Sequence, residues 1–404
     1  VTTPPTRTER QEAQAASDEV IEVAPGVLRL QLPIPLPGLR HVNTYALEDE
    51  RGWTVVDPGM PGPLSWRALE QRCKTAGFRT KDIHTVVVTH SHPDHFGGAG
   101  KLRQVAGAEM VTSSRFKLWW DPEDDDEADS VAAARPADAP TDPADLADLD
   151  ASADADGHGH DHHDGHGHDH DYDHDGNGRH NGEGDDRPGA ARTPWSRPTP
   201  WGGAAPRPPR KTLLAMRVLG PFRQKLFPTP RPSVRLDDAA TIRLGRREWV
   251  ALHTPGHTAD HLCLYDPEGG VLLAGDHVLP SITPHISGIG AGPDPLAAFI
   301  TSLDRVAGLD GVRHVLPAHG QPFTDLQGRV DDIKEHHDQR LERLRGYVAE
   351  RSEGSVNDLM QMLFRPRSWG AMAESETYAH LEHLRIAGTV TRRDDADGFR
   401  YSVR

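Results

Sequence analysis

Residues 84–98 read HTVVVTHSHPDHFGG, and the fold turns on how that stretch is understood. Its first half, HTVVVT, is a short β-branched run, the mark of a buried strand. Its second half places His90, His92, Asp94 and His95 within six positions. Side chains two apart at a strand end lie on one side, so His90 and His92 can face one metal ion. The chain then bends, and Asp94 and His95 can turn toward a neighbouring ion. Gly97 and Gly98 let the backbone pass close by. A lone histidine at a strand end is ordinarily just a polar surface residue. Four ligand-type side chains at one strand-to-loop junction form a metal-site pattern.

Working outward, residues 20–118 alternate short β-rich runs with turn chemistry, and a helical stretch, GPLSWRALEQRCKTAG, at 62–77. Residues 235–320 return to that style. CLYDPEGGVLLAGD (263–276) reads as two strands about a Pro/Gly turn, DPLAAFITSLDRVAGL (294–309) as a helix, and HVLPAHG (314–320) as a strand end. Sheet and helix alternating on both sides predict one split α/β domain. Residues 328–404 read as helices over 331–350, 355–364 and 374–388, with Ser355 and Ser375 as N-caps and Gly388 as a stop. A hairpin across DADG follows. Three helices closed by a hairpin is the order of a winged helix.

Between the two halves the composition changes. Residues 121–190 hold 23 Asp/Glu against three Arg, and residues 191–235 hold ten Lys/Arg and no acid. The formal net charge of −16 therefore belongs largely to this segment and says little about the partners of the folded part. Rich in Asp, Ala, Gly, Pro and His, residues 121–210 cannot bury enough apolar surface to offset chain entropy, so a disordered insertion is expected. Residues 212–228 are expected to re-enter the fold as a helix. The run GHGHDHHDGHGHDHDYDHDG at 157–176 is dense in metal-binding types but has no scaffold to hold them rigidly. It suits weak, interchangeable ligation that collects metal near a site, or is a neutral low-complexity insertion. The two cysteines, Cys73 and Cys263, exclude a disulfide framework and read as packing residues. With no apolar signal core near residue 1 and no run of membrane-spanning length, a cytoplasmic protein without a membrane partner is expected.

THSHPDH (89–95) matches the HxHxDH signature of the metallo-β-lactamase fold, and the chain resembles that family. The resemblance implies a four-layer αββα sandwich. The further motifs it asks for occur in order: His257 in HTPGHTADH, Asp276 in LLAGDH, His319 in VLPAHG, and Asp57 in VVDPG. Carried over, His90, His92 and His257 hold one ion, Asp94, His95 and His319 the other, and Asp276 bridges them. Asp57 supports the site without ligating. Two divalent cations would make hydroxide from a shared water near neutral pH, and Asp94 could orient it. The histidine-rich set favours zinc, and the carboxylates admit iron or manganese. His253, His261 and His277 lie near these motifs without being family ligands. His261 and His277 are the better candidates for orienting a ligand or protonating a leaving group.

The resemblance is greatest to the β-lactamase-like protein 2 group, whose core is followed by a small winged-helix-like tail. It covers residues 20–118 and 235–404 and leaves out the insertion. The expected organisation is a flexible 1–19, fold halves at 20–120 and 211–327 around the insertion, and the tail at 328–404. Family members hydrolyse β-lactams, thioesters, lactones and phosphodiesters, so the fold does not name a substrate. Residues 327–404 hold 13 Lys/Arg and 14 Asp/Glu, unlike a nucleic-acid platform, which should be basic. The leading expectation is therefore a dinuclear metallohydrolase of a small-molecule or acyl-carrier thioester or related ester. The tail would form a cleft wall or a homodimer contact. A metal-dependent endoribonuclease of the same fold is the alternative, with the basic run 191–235 as its support. A metal-storage or metal-sensing DNA-binding protein is a third reading, disfavoured by the complete ligand set and the neutral tail.

Overall fold

The computed structural model describes residues 10–36, 38–118, 199–202, 225–290 and 292–404. Most of the insertion expected at 121–210, including the run at 157–176, lies outside the described residues. So do residues 212–224 of the expected helix.

Two sheets carry the fold. Strands β1 (Val20–Ala24), β2 (Val27–Leu36), β3 (Leu39–Asp49), β4 (Gly52–Val56), β5 (Ile83–Val87), β6 (Glu109–Ser113) and β7 (Val234–Leu236) form the first sheet in chain order. Pairing is antiparallel from β1 to β4 and parallel from β4 to β7. The last strand comes from beyond the insertion, so the second half of the chain closes the first sheet. Strands β8 (Thr241–Leu244), β9 (Arg247–His253), β10 (Leu262–Asp266), β11 (Val271–Gly275) and β12 (His314–Pro317) form the second sheet, ordered β12-β11-β10-β9-β8.

Three apolar layers show how the sheets stack. Val27, Leu47, Val56, Val87 and Val111 of the first sheet meet Trp249, Ala251, Leu264, Val271 and Leu273 of the second. On the outer face of the first sheet, Leu30, Val55, Val86 and Val88 pack under helix α1 (Pro63–Thr75), through Trp66, Leu69 and Cys73. Val87 thus faces the inter-sheet core while Val86 and Val88 face the helices, which explains the unbroken VVV of the strand. A short helix α2 (Pro93–Phe96) follows, then α3 (Ala99–Ala106). Between them Gly97 and Gly98 press on the 57–61 turn. A Cβ at Gly97 would lie 2.1 Å from Pro61 N, and one at Gly98 would lie 2.4 Å from Pro58 O. The expectation of close backbone passage there holds.

The outer face of the second sheet is covered by α4 (Pro295–Ala307) and α5 (Leu326–Arg351). Asp294 caps α4 by accepting the Ala297 N–H at 3.0 Å, and Leu296, Phe299, Leu303 and Val306 are the face it buries. Helices on both outer faces of two packed sheets make the αββα sandwich.

Helices α6 (Val356–Leu363) and α7 (Ala371–Ile386) follow, with strands β13 (Glu353–Ser355), β14 (Val390–Asp395) and β15 (Gly398–Val403) in the order β13-β15-β14. Ser355 caps α6 in a capping box with Asp358, as its position predicts. Ser375 is not a cap: α7 begins one turn earlier, after Gly370, and Ser375 Oγ instead accepts the backbone N–H of Gly288 at 3.0 Å. The tail shares one continuous core with the second sheet, running from Leu252 and Phe299 to Leu344, Leu381 and Tyr401. Trp201 joins that core, its ring 5.1 Å from Tyr378 and its carbonyl accepting from Phe399 N at 3.2 Å. Residues 199–202 are therefore anchored on the tail.

Candidate metal centre

The seven expected ligand residues come from strand ends and the loops after them, on one edge of the sandwich. His90 follows β5, His92, Asp94 and His95 sit at α2, His257 lies between β9 and β10, Asp276 follows β11, and His319 follows β12. Backbone bonds stitch these ends together: Leu262 N–H donates to Thr89 O at 2.8 Å, Ala318 N–H to Gly275 O at 2.8 Å, and Asn43 N–H to Ala318 O at 2.7 Å. Gly275 adopts φ 53°, and a Cβ there would lie 2.6 Å from His261 Nε2. Glycine is what lets the chain turn Asp276 inward beside that ring.

Two groups of donor atoms result. His90, His92, His257 and Asp276 form one, and Asp94, His95 and His319 the other, each able to hold a metal ion. Asp276 lies between them: its Oδ2 is 3.8 Å from His90 Nε2, 3.6 Å from His257 Nε2 and 3.5 Å from His95 Nε2. Its Oδ1 is 3.2 Å from His319 Nε2. Asp94 Oδ2 is 3.4 Å from the Nε2 atoms of both His95 and His319.

The outer ring nitrogens are fixed by partners that decide which nitrogen faces inward. His319 Nδ1 donates to His41 O at 2.7 Å, His257 Nδ1 to His285 O at 2.7 Å, and His95 Nδ1 to Asp57 Oδ2 at 2.9 Å. The Thr89 hydroxyl donates to Asp57 Oδ2 at 2.8 Å, so it can accept from His90 Nδ1 at 3.1 Å. Each of these four rings thus directs its Nε2 at the centre.

A cation fits what remains. His95 Nε2, His319 Nε2 and Asp276 Oδ1 are buried and aligned in no hydrogen bond, although His95 Nε2 is 3.5 Å from Asp276 Oδ2 and His319 Nε2 is 3.2 Å from Oδ1. In the other group His92 Nδ1 stands 3.0 Å from His90 Nε2 and 3.2 Å from His257 Nε2. Those two Nε2 atoms are bare, and one imidazole proton cannot serve both. Burial, then the neighbouring imidazoles, drives His90 well below the ordinary histidine range and His92 down to about 3. Three converging lone pairs call for a positive centre, and three imidazoles with a carboxylate suit zinc, while carboxylates admit iron or manganese.

Without a cation the carboxylates of the second group favour protonated rings. Burial opposes charge on His319, but Asp276, with Asp94, outweighs it and lifts the ring to about 10. His95 is raised likewise against burial by Asp94, Asp276 and Asp57. Asp276 is held well below the carboxylate range, burial being outweighed by His319 and His95.

Of the other expected residues, Asp57 and His261 touch this centre and His277 does not. Asp57 accepts from His95 and Thr89. His261 Nε2 accepts the backbone N–H of Asp276 at 3.0 Å, which puts its own proton on Nδ1, 2.8 Å from Thr254 Oγ1. His277 is fully buried with its ring 5.1 Å from Phe299, and it makes no hydrogen bond to any of the seven. His253 lies apart, its Nε2 donating to Ala259 O at 2.8 Å. Sequence reading missed Thr89, His41, Thr254 and His285. Thr89 and Thr254 carry a legible signal, being the positions flanking the histidine motifs. His41 and His285 act here through backbone carbonyls, which no residue type announces.

A family model described as the metallo-beta-lactamase superfamily matches residues 37–180 and 189–350. A hydroxyacylglutathione hydrolase of Albidiferax ferrireducens is 39% identical over 82 residues, covering 20% of this chain and 29% of that protein. A probable metallo-hydrolase of Bacillus subtilis is 30% identical over 155 residues, 36% of this chain and 48% of that one. A beta-lactamase-like protein 2 homologue of Caenorhabditis elegans is 28% identical over 132 residues, 33% of this chain and 40% of its own length. These matches thus span less than half of each relative. Among solved structures, a metallo-beta-lactamase family protein of Thermus thermophilus has a TM-score of 0.62 at 24% identity, covering 95% of this chain and all of that one. A beta-lactamase domain protein of Burkholderia ambifaria has a TM-score of 0.63 at 25% identity, covering 96% of each chain. The fold, the donor-bearing strand ends and the matched residues together make this chain a member of the metallo-beta-lactamase superfamily.

Proposed function

We propose that this chain is a dinuclear metal-dependent hydrolase of a thioester or related ester. The observation that carries the reading is the pair of donor groups on either side of Asp276, with imidazole Nε2 atoms aimed inward. His90, His92 and His257 would hold one ion, Asp94, His95 and His319 the other, and Asp276 would bridge them. The cations would supply a nucleophile near neutral pH by lowering the pKa of water, and would polarise the scissile carbonyl. Asp94 is the candidate catalytic carboxylate. One oxygen faces His95 and His319, and the other is left to orient the attacking water and take its proton. Asp57 and His261 would hold the angles of His95 and Asp276.

The thioester preference is supported by the hydroxyacylglutathione hydrolase relative, whose name specifies an acyl-glutathione, and by the near-neutral charge of residues 327–404. We read residues 20–120 and 211–327 as two halves of one catalytic domain. We read residues 328–404 as a winged-helix-like unit that walls the cleft. Acyl-glutathione, acyl-CoA and a short single-stranded RNA, offered to the zinc-loaded protein, test the reading. Thioester turnover that falls at least a hundredfold in Asp94→Ala supports it. RNA cleavage alone, abolished by the same substitution, would establish the endoribonuclease instead.

A further inference from the structure

The chain leaves the second sheet at Asp276 and reaches α4, and among the described residues 276–290 and 292–294 it has no regular secondary structure. Yet His285, midway along, supplies the carbonyl that fixes the Nδ1–H of His257. A loop carbonyl can orient a ligand only if the loop itself is held.

The tail holds it. His285 Nδ1 lies 3.2 Å from Glu376 Oε2 on α7. Gly288 N–H donates to Ser375 Oγ at 3.0 Å, and His383 Nδ1 is 3.0 Å from Asp294 Oδ2. From α5, Arg329 donates to Leu279 O at 2.6 Å and to Ile282 O at 2.7 Å. Glu376 is 2% exposed, and its Oε1 pairs with Arg340, which is wholly buried on α5. That ion pair engages Oε1 through a single guanidinium nitrogen, Arg340 Nη1. It does not account for Oε2, which reaches out of the tail to the loop.

We propose that Glu376 is a positioning residue for the metal site: through His285 it fixes the carbonyl that aims His257 at the first ion. The inference rests on the metal-ligand reading above. It makes the tail part of the metal site, with the Arg340 guanidinium keeping the Glu376 carboxylate charged and oriented in the helix interface.

The test uses the full chain, reconstituted with zinc and separately with cobalt(II). His285→Ala cuts the link but leaves the Arg340–Glu376 pair intact, so no buried charge loses its partner. His285→Gln restores an N–H donor toward Glu376. The readouts are release of ion to excess chelator, the cobalt visible spectrum, and the melting temperature of the metal-free protein. In His285→Ala, one of the two ions should leave roughly 10- to 100-fold faster. The cobalt bands should shift, and the metal-free melting temperature should be unchanged. His285→Gln should recover most of the wild-type rate, and Glu376→Gln should release as fast as His285→Ala. If Glu376→Gln fails to fold, the two His285 variants still decide. Unchanged release and an unchanged spectrum in folded His285→Ala would overturn the inference while leaving the metal reading intact. A wild-type chain that holds no ions would overturn both.

Discussion

His95 donates its Nδ1–H to Oδ2 of Asp57 at 2.9 Å, across the ends of two neighbouring parallel strands. Thr89 gives the same carboxylate its backbone N–H at 2.9 Å and its hydroxyl at 2.8 Å. Asp57 itself sits at φ 53°, a left-handed conformation costly for most residues and tolerated by Asp and Asn. The cost is retained where one buried carboxylate orders both the strand end and the His95 ring.

Asp57→Asn keeps that backbone conformation and removes the charge behind His95. Metal affinity should fall roughly 10- to 100-fold. Competition against a chromophoric chelator measures it, and unchanged affinity would mean that Asp57 serves the strand end alone.

Loading metal should release protons. In the metal-free protein the carboxylates around His95 and His319 outweigh burial and raise both rings, which favours protonated forms that an ion must displace. Loading should release protons from these rings, and affinity should weaken as pH falls. Calorimetry in buffers of differing ionisation enthalpy counts them. The same shifts set the pH range of the metal-free protein. The stability from His319 is complete below its unfolded value of 6.5 and is lost as pH rises through about 10. That from Asp276, whose pKa is depressed, is present above its unfolded value of 3.8 and is lost as pH falls below it.

Gly275→Ala places a methyl 2.6 Å from His261 Nε2 at a φ of 53°. Strain of about 1–3 kcal/mol is expected, with Asp276 displaced from between the donor groups. Thermal melts and zinc content together check it. A variant as stable and as metal-rich as wild type would show that the turn tolerates a side chain.

Phe299 is fully buried on α4 against the rings of His277 and His337, at 5.1 and 5.6 Å. Phe299→Ala should cost about 3–5 kcal/mol, read from denaturant unfolding.

What the sequence made legible follows from where information is local. HTVVVT exposes a strand because both its faces are buried, and the histidine–aspartate motifs expose the donors because ligation needs those side chains. Ser355 announces its helix because a capping box is a local contact. Ser375 looks like a cap in the sequence, but Gly370 starts the helix one turn earlier and frees the hydroxyl for Gly288. His277 sits beside Asp276 in sequence, but a turn sends its ring into the α4 core. The parts of the site invisible in the sequence are backbone carbonyls, at His41 and His285, and the reach of Glu376 from the tail. Those depend on how separate segments pack, which no local pattern encodes.

The central claim is that two ions sit on either side of Asp276, and an anomalous difference map at the zinc edge tests it most directly. Crystals of zinc-reconstituted protein should show two peaks, one among His90, His92 and His257 and one among Asp94, His95 and His319. Each peak should lie about 2.0–2.2 Å from its nearest donor atoms and within reach of Asp276. A single peak, or zinc bound only elsewhere in the chain, would contradict the account.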